Sequence, residues 1–106
     1  MAKDVQIIIE EITDHLINYC SGGNYSDYYV GITKNVGDRL FSDHRVPIEN
    51  HCWIWREANN DTEAREVEKH FLDKGMKGGG GGGDKESVFV YVYKISRITV
   101  ESVSYN

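Results

Sequence analysis

Apolar side chains return every third or fourth residue between Val5 and Tyr19. Val5, Ile8, Ile9, Ile12, Leu16 and Tyr19 line one face of a helix. Ser21-Gly22-Gly23-Asn24 closes it, because glycine accepts the left-handed conformations in which helices end. The period then shortens to two. Residues 28–33 (YYVGIT) read as a strand, with Tyr28, Val30 and Ile32 on one face and Tyr29, Gly31 and Thr33 on the other. The first face is greasy and should meet a core helix. The second sets a phenol beside a residue with no side chain, which leaves room for a ligand.

Asn35 is a helix N-cap and Asp38 suits the first turn, so residues 36 to about 44 read as helical, with Pro47 barring extension. Residues 53–57 (WIWRE) form a second strand that turns Trp53 and Trp55 to one face, for core packing or for stacking on bases. Asn60 with Glu63 resembles a capping box that starts a helix running to about residue 74. Residues 75–84 (GMKGGGGGGD) have no preferred conformation. Residues 87–95 (SVFVYVYKI) are apolar on both faces, as a strand buried on both sides and central in its sheet would be. Residues 97–106 read as a further short strand or tail. The expected fold class is α+β: one domain with a small three-stranded, mainly antiparallel sheet flanked by about three helices.

Charge and composition narrow the function classes. A net charge of −5 argues against a nucleic-acid coat, though a nuclease needs only a local positive groove. Its DNA affinity would be modest and salt-sensitive. No apolar run approaches the roughly 18–20 residues that span a bilayer. The start of the chain is too acidic for a secretory signal peptide. A cytoplasmic location and no membrane partner follow as expectations. Cys20 and Cys52 are far apart without a CxxC, so in the cytosol both are expected to be reduced. His44, His51 and His70 lack the paired spacing of a zinc site around them.

The most informative residue is Glu68. Ala64, Val67, Phe71 and Leu72 make the apolar stripe of the helix from 61 to 74, and Glu68 points into it. A carboxylate aimed inward costs several kcal/mol unless it is paired, hydrogen-bonded or metal-bound. Either Arg39 or Arg56 meets it in a structural ion pair, or it is a functional carboxylate.

Tyr29-Val30-Gly31 followed by Arg39-Leu40, and the stretch Thr62-Glu63-Ala64-Arg65-Glu66-Val67-Glu68, resemble the motifs of the GIY-YIG nuclease superfamily. The match covers residues 28–72. The resemblance implies metal-dependent endonucleolytic hydrolysis of DNA, with RNA as the alternative polymer. Glu68 would hold one Mg²⁺ or Mn²⁺, Arg39 would clamp the scissile phosphate, and Tyr29 would position or activate water. Lys34, Arg45 and Lys77 are the cations that would meet nucleic-acid backbone.

The chain departs from the family pattern in three ways. The GIY strand is missing, and Ile17-Asn18-Tyr19 falls inside the first helix. Strand 87–95 would take its place from the C-terminal side, with Tyr91 or Tyr93 standing for the lost tyrosine. A histidine or tyrosine often follows the family arginine by four residues; here that position is Asp43, and His44 comes one later. Arg39 and Asp43 would form an i, i+4 pair, while His44 joins the site if the helix ends early. The downstream asparagine is replaced by the glycine run, a linker or a phosphate-touching loop. These departures favour an alternative function: a catalytically silent domain of this type that binds nucleic acid or protein. A protein partner or homodimer is compatible with either.

Overall fold

The computed structural model describes residues 2–49, 51–79 and 84–101. In chain order these form helix α1 (Val5–Tyr19), strand β1 (Tyr28–Thr33), a π-helical turn (Asp38–Asp43), strand β2 (Trp53–Glu57), helix α2 (Asp61–Asp73) and strand β3 (Phe89–Lys94). Both α-helices start on side-chain caps. Asp4 accepts from the Ile7 amide at 2.9 Å and Asn60 from the Glu63 amide at 2.8 Å, satisfying donors that the first turn leaves unpaired.

The sheet is antiparallel with the order β1-β3-β2. The strand that is apolar on both faces thus lies at its centre, as its pattern requires. Val90 and Val92 point one way, Tyr91 and Tyr93 the other, and all four are buried. On the valine side α1 and α2 cover the sheet. Ile8, Ile12 and Leu16 of α1 and Ala64, Val67 and Phe71 of α2 pack with Tyr28, Val30, Ile32 and Ile54. On the tyrosine side a smaller cluster gathers Leu40, Val46, Tyr91 and Tyr93, with Tyr29, Phe41 and Trp53 against it. Trp53 is therefore partly buried against this cluster, its ring edge-on to Phe41 at 5.2 Å, whereas Trp55 stays 41% exposed.

Four expectations are revised. The cysteines are not free: Cys20 and Cys52 form a disulfide that ties the end of α1 to the start of β2, with Cα atoms 5.5 Å apart. Sequence spacing was silent on this because the approach is purely tertiary. The segment after Asn35 opens as an α-turn at Val36 and Gly37 and then widens, so that the His44 amide reaches the Arg39 carbonyl at 2.9 Å in an i→i+5 bond. Arg45 ends this turn in the left-handed region, at φ 57°. Of the short strand or tail expected at the C-terminus, the strand is not formed as far as Glu101, where the segment makes a turn at Ser96–Thr99; residues 102–106 lie outside the described residues. The glycine run has structure at its start, where Lys77 pairs with the β1 edge in both directions: Val30 N to Lys77 O and Lys77 N to Tyr28 O, each 2.9 Å. Residues 80–83 of that run also lie outside the described residues.

Lys3 bridges to Ala58 beside β2, so each outer strand of the sheet has a short backbone companion on its open side. Among the described residues no helix is long and apolar enough to cross a membrane.

Candidate active site

The site is built on the tyrosine face of the sheet. In the antiparallel register Tyr29 of β1 stands opposite Tyr93 of β3, and Gly31 opposite Tyr91. Residues two apart share a face, so all three rings project the same way. Tyr29 stacks near Tyr93 at 5.3 Å and near Tyr91 at 6.4 Å between centroids. Gly31 does not leave an open space for a ligand. A Cβ there would fall 2.5 Å from Cζ and 2.8 Å from Cε2 of Tyr91, so the missing side chain is what lets the Tyr91 ring lie over β1. Gly31→Ala is accordingly expected to cost about 1–3 kcal/mol, because a ring that is 1% exposed has nowhere to retreat. A denaturant midpoint equal to that of the wild type would disprove this reading of the glycine.

The π-helical turn delivers Arg39 and His44 to the same face. One extra residue would turn His44 away on an α-helix, but an i→i+5 turn absorbs that residue. The early helix end expected from sequence is not what places it. His44 is fully buried, its ring 4.7 Å from Tyr29, 5.5 Å from Tyr91 and 5.0 Å from Tyr93. Its Nδ1 lies 2.6 Å from the Val100 carbonyl oxygen, and its Nε2 lies 2.8 Å from the Tyr91 hydroxyl. A carbonyl only accepts, which assigns the proton to Nδ1 and leaves Nε2 to accept from Tyr91. Arg39 stands near enough for its charge to act on Tyr91. A directed chain results: Tyr91 to His44, His44 to the backbone of Val100. Arg39 also holds Asp43 at 3.1 Å, the i, i+4 pair that the spacing predicts.

Burial sets the protonation states. It lowers the pKa of His44 against the raising pull of the Val100 carbonyl, and so favours a neutral imidazole. Burial, and then the neighbouring Tyr29, raise the pKa of both Tyr91 and Tyr93, which keeps their phenols protonated at neutral pH. Tyr29 is the half-buried member of the three, so it is the ring that meets solvent.

These shifts have a consequence for stability. A histidine whose pKa is lowered by folding adds stability that is complete above its ordinary value of 6.5 and is lost as pH falls through its folded value. The pKa of His15 is also lowered, mainly by burial, and acts in the same sense. The wild-type urea midpoint is expected to fall between pH 7.5 and 5.5, with a shallower fall in His44→Gln. Equal slopes in the two proteins would remove His44 from this account.

Glu68 is 5% exposed, on the inward face of α2 as the helix period requires. Its ion-pair partner is neither Arg39 nor Arg56. Arg56 is engaged by Glu11 at 2.6 Å, and Arg65, one turn back on α2, stands 3.8 Å from Glu68. Burial raises the Glu68 pKa and Arg65 offsets only part of that rise. Glu68 lies close enough to the tyrosine cluster for its charge to act on Tyr91.

Comparison with protein-family models, curated proteins and solved structures gives no match. What the site can do therefore rests on its own chemistry. It assembles a guanidinium, a neutral imidazole and three phenols, while the buried carboxylate of Glu68 stands on α2, which packs on the other face of the sheet, and acts on Tyr91 through its charge. The three cations expected to touch nucleic acid are all exposed, with Lys34 beside Asp84 at 3.9 Å and Lys77 beside Glu101 at 4.0 Å. The residue that sequence reasoning missed is Val100, whose carbonyl fixes the His44 tautomer. A backbone acceptor leaves no signal in side-chain identity.

Proposed function

We propose that the chain is a metal-dependent endonuclease of the GIY-YIG type, acting on DNA phosphodiesters through Tyr29, Arg39, His44, Glu68, Tyr91 and Tyr93. The observation that carries this reading is the convergence of the motif residues Tyr29, Gly31 and Arg39 with His44 and Tyr91 on one sheet face, although the first family strand is absent. β3 brings the second and third tyrosines from the C-terminal side, and the π-helical turn brings the histidine despite its shifted position.

In this reading Arg39 binds a non-bridging phosphate oxygen with its planar fork while its pair with Asp43 holds the guanidinium. Tyr29 orients the attacking water. Tyr91 and Tyr93 are both protonated; the Tyr91 hydroxyl donates to His44 Nε2, so its oxygen is left to accept. Neutral His44 is the group with basicity in the useful range, and it accepts a proton handed on through Tyr91. Glu68 fits a hard divalent cation. It is a buried carboxylate whose charge is disfavoured by desolvation, and a cation would relieve that cost. Glu68 would hold Mg²⁺ or Mn²⁺, with water and phosphate oxygens completing the shell. Such an ion supplies charge neutralisation at the phosphate and leaving oxygen. Lys34, Arg45 and Lys77 would track the nucleic-acid backbone.

A second reading has its own support: Tyr91, Tyr93 and His44 are sealed from solvent, which suits a silent domain that binds nucleic acid or protein. Calorimetric titration with Mn²⁺ separates the two. The enzyme reading expects one site that is lost in Glu68→Ala; no heat in the wild type would favour the binder.

A further inference from the structure

On the other side of the sheet, where α1 ends and β2 begins, the ligating atoms of His15, Cys20 and Cys52 all lie within 4.8 Å of one another. We propose that these three side chains form a zinc site when the Cys20–Cys52 bond is reduced, so that metal and disulfide exclude each other at one place in the fold. The cysteines belong to the helix-side core, apart from the tyrosine cluster.

The donor set suits the ion. Two thiolates and an imidazole are soft-to-borderline ligands that favour Zn²⁺ and disfavour Mg²⁺. Tetrahedral zinc with Zn–S near 2.3 Å and Zn–N near 2.1 Å needs its donors roughly 3.5–4 Å apart. The imidazole nitrogen lies within 4.8 Å of both sulfurs, and the sulfurs, bonded in the disulfide, must part to that spacing once reduced.

His15 is prepared for the role. His15 sits on α1 one turn before Cys20, half-buried, with a ring nitrogen within 4.8 Å of both sulfurs. A groove of about 460 Å³ lined by His15, Tyr19, His51, Cys52 and Trp53 gives solvent access. His51 is committed to the Lys94 carbonyl at 2.7 Å, so water completes the shell.

The exchange balances. A dithiol reductant gives two electrons and two protons to the S–S bond and closes into its own cyclic disulfide. Zn²⁺ then displaces the two thiol protons to form two Zn–S bonds. A disulfide oxidant reverses the sequence and releases the ion. The site would therefore be loaded in reducing surroundings and empty in oxidising ones.

The test uses the full chain reduced with a dithiol, freed of reductant without air, and titrated with Co²⁺ and then with Zn²⁺ against a chromophoric chelator. One equivalent of Co²⁺ is expected to bind with thiolate charge-transfer and tetrahedral d–d bands, and the oxidised chain is expected to show neither band, whatever divalent ion Glu68 holds. His15→Ala should weaken Zn²⁺ by at least about tenfold, and His51→Ala should leave it unchanged. Both substitutions fall outside the buried core, so the fold is not at stake. Absence of stoichiometric binding in the reduced chain would overturn the proposal. So would unchanged affinity in His15→Ala, which would reveal only a chelate of two cysteines.

Discussion

Glu68→Gln is expected to lose DNA cleavage by about 10²–10³-fold or more, the usual cost of removing one group that stabilises transition-state charge. The same substitution should leave the protein at least as stable at neutral pH. Folding raises the Glu68 pKa, and a carboxyl shifted this way favours the folded state at low pH and opposes it as pH rises through the folded value. A neutral amide of the same shape removes that opposition. Little is forfeited with the Arg65 pair, since its cation is 38% exposed and 3.8 Å away. Arg39→Ala should show a comparable loss of cleavage in a protein that still folds, its part-buried pair with Asp43 costing some stability but lying outside the main core. The measurement is cleavage of duplex, single-stranded and branched DNA with Mg²⁺ or Mn²⁺, alongside urea unfolding of each variant. Robust activity that survives both substitutions would remove these residues from the site. A Glu68→Gln protein that is strongly destabilised would instead make the carboxylate a structural ion-pair member.

Reduction of the disulfide is expected to lower the unfolding free energy by roughly 3–4 kcal/mol, the chain-entropy value for a loop of this length. Cys20 and Cys52 are separated by 32 residues, and the loop between them contains all of β1 and the π-helical turn. Cross-linking restricts the unfolded chain far more than the folded one, where α1 and β2 already pack together. Urea unfolding in the presence of a metal chelator, with and without a dithiol reductant, gives the number directly. The double variant Cys20→Ala/Cys52→Ala should match the reduced protein to within the small packing cost of two sulfurs. An unchanged midpoint on reduction would show that the bond adds nothing to the fold.

The elements that could be read from the chain were those whose periodicity reports a local face. The stripe of α1, the alternation of β1, the doubly apolar β3 and the inward Glu68 each follow from residue spacing and from the cost of wetting apolar surface or burying charge. Pattern also placed β3 at the centre of the sheet and turned Tyr29 away from the helix-side core. Spacing further gave the Arg39–Asp43 pair.

Tertiary structure decided everything that depends on which faces meet. The widening of the turn after Asn35 into an i→i+5 form, which carries His44 to the tyrosines, leaves no mark in periodicity. The partner of Glu68 proved to be its own helix neighbour Arg65 and not a distant arginine, and Arg56 of β2 is engaged by Glu11 of α1. Gly31 could be read as open space until β3 was placed beside it and the Tyr91 ring filled that space. The joining of Cys20 to Cys52, with His15 beside them, required α1 and β2 to be packed before any spacing had meaning. A sequence fixes which faces a segment must hide, through local periodicity and transfer free energy. It leaves the pairing of those faces to the long-range register of the sheet, and that register is where Tyr29, Tyr91, Tyr93 and His44 become one site.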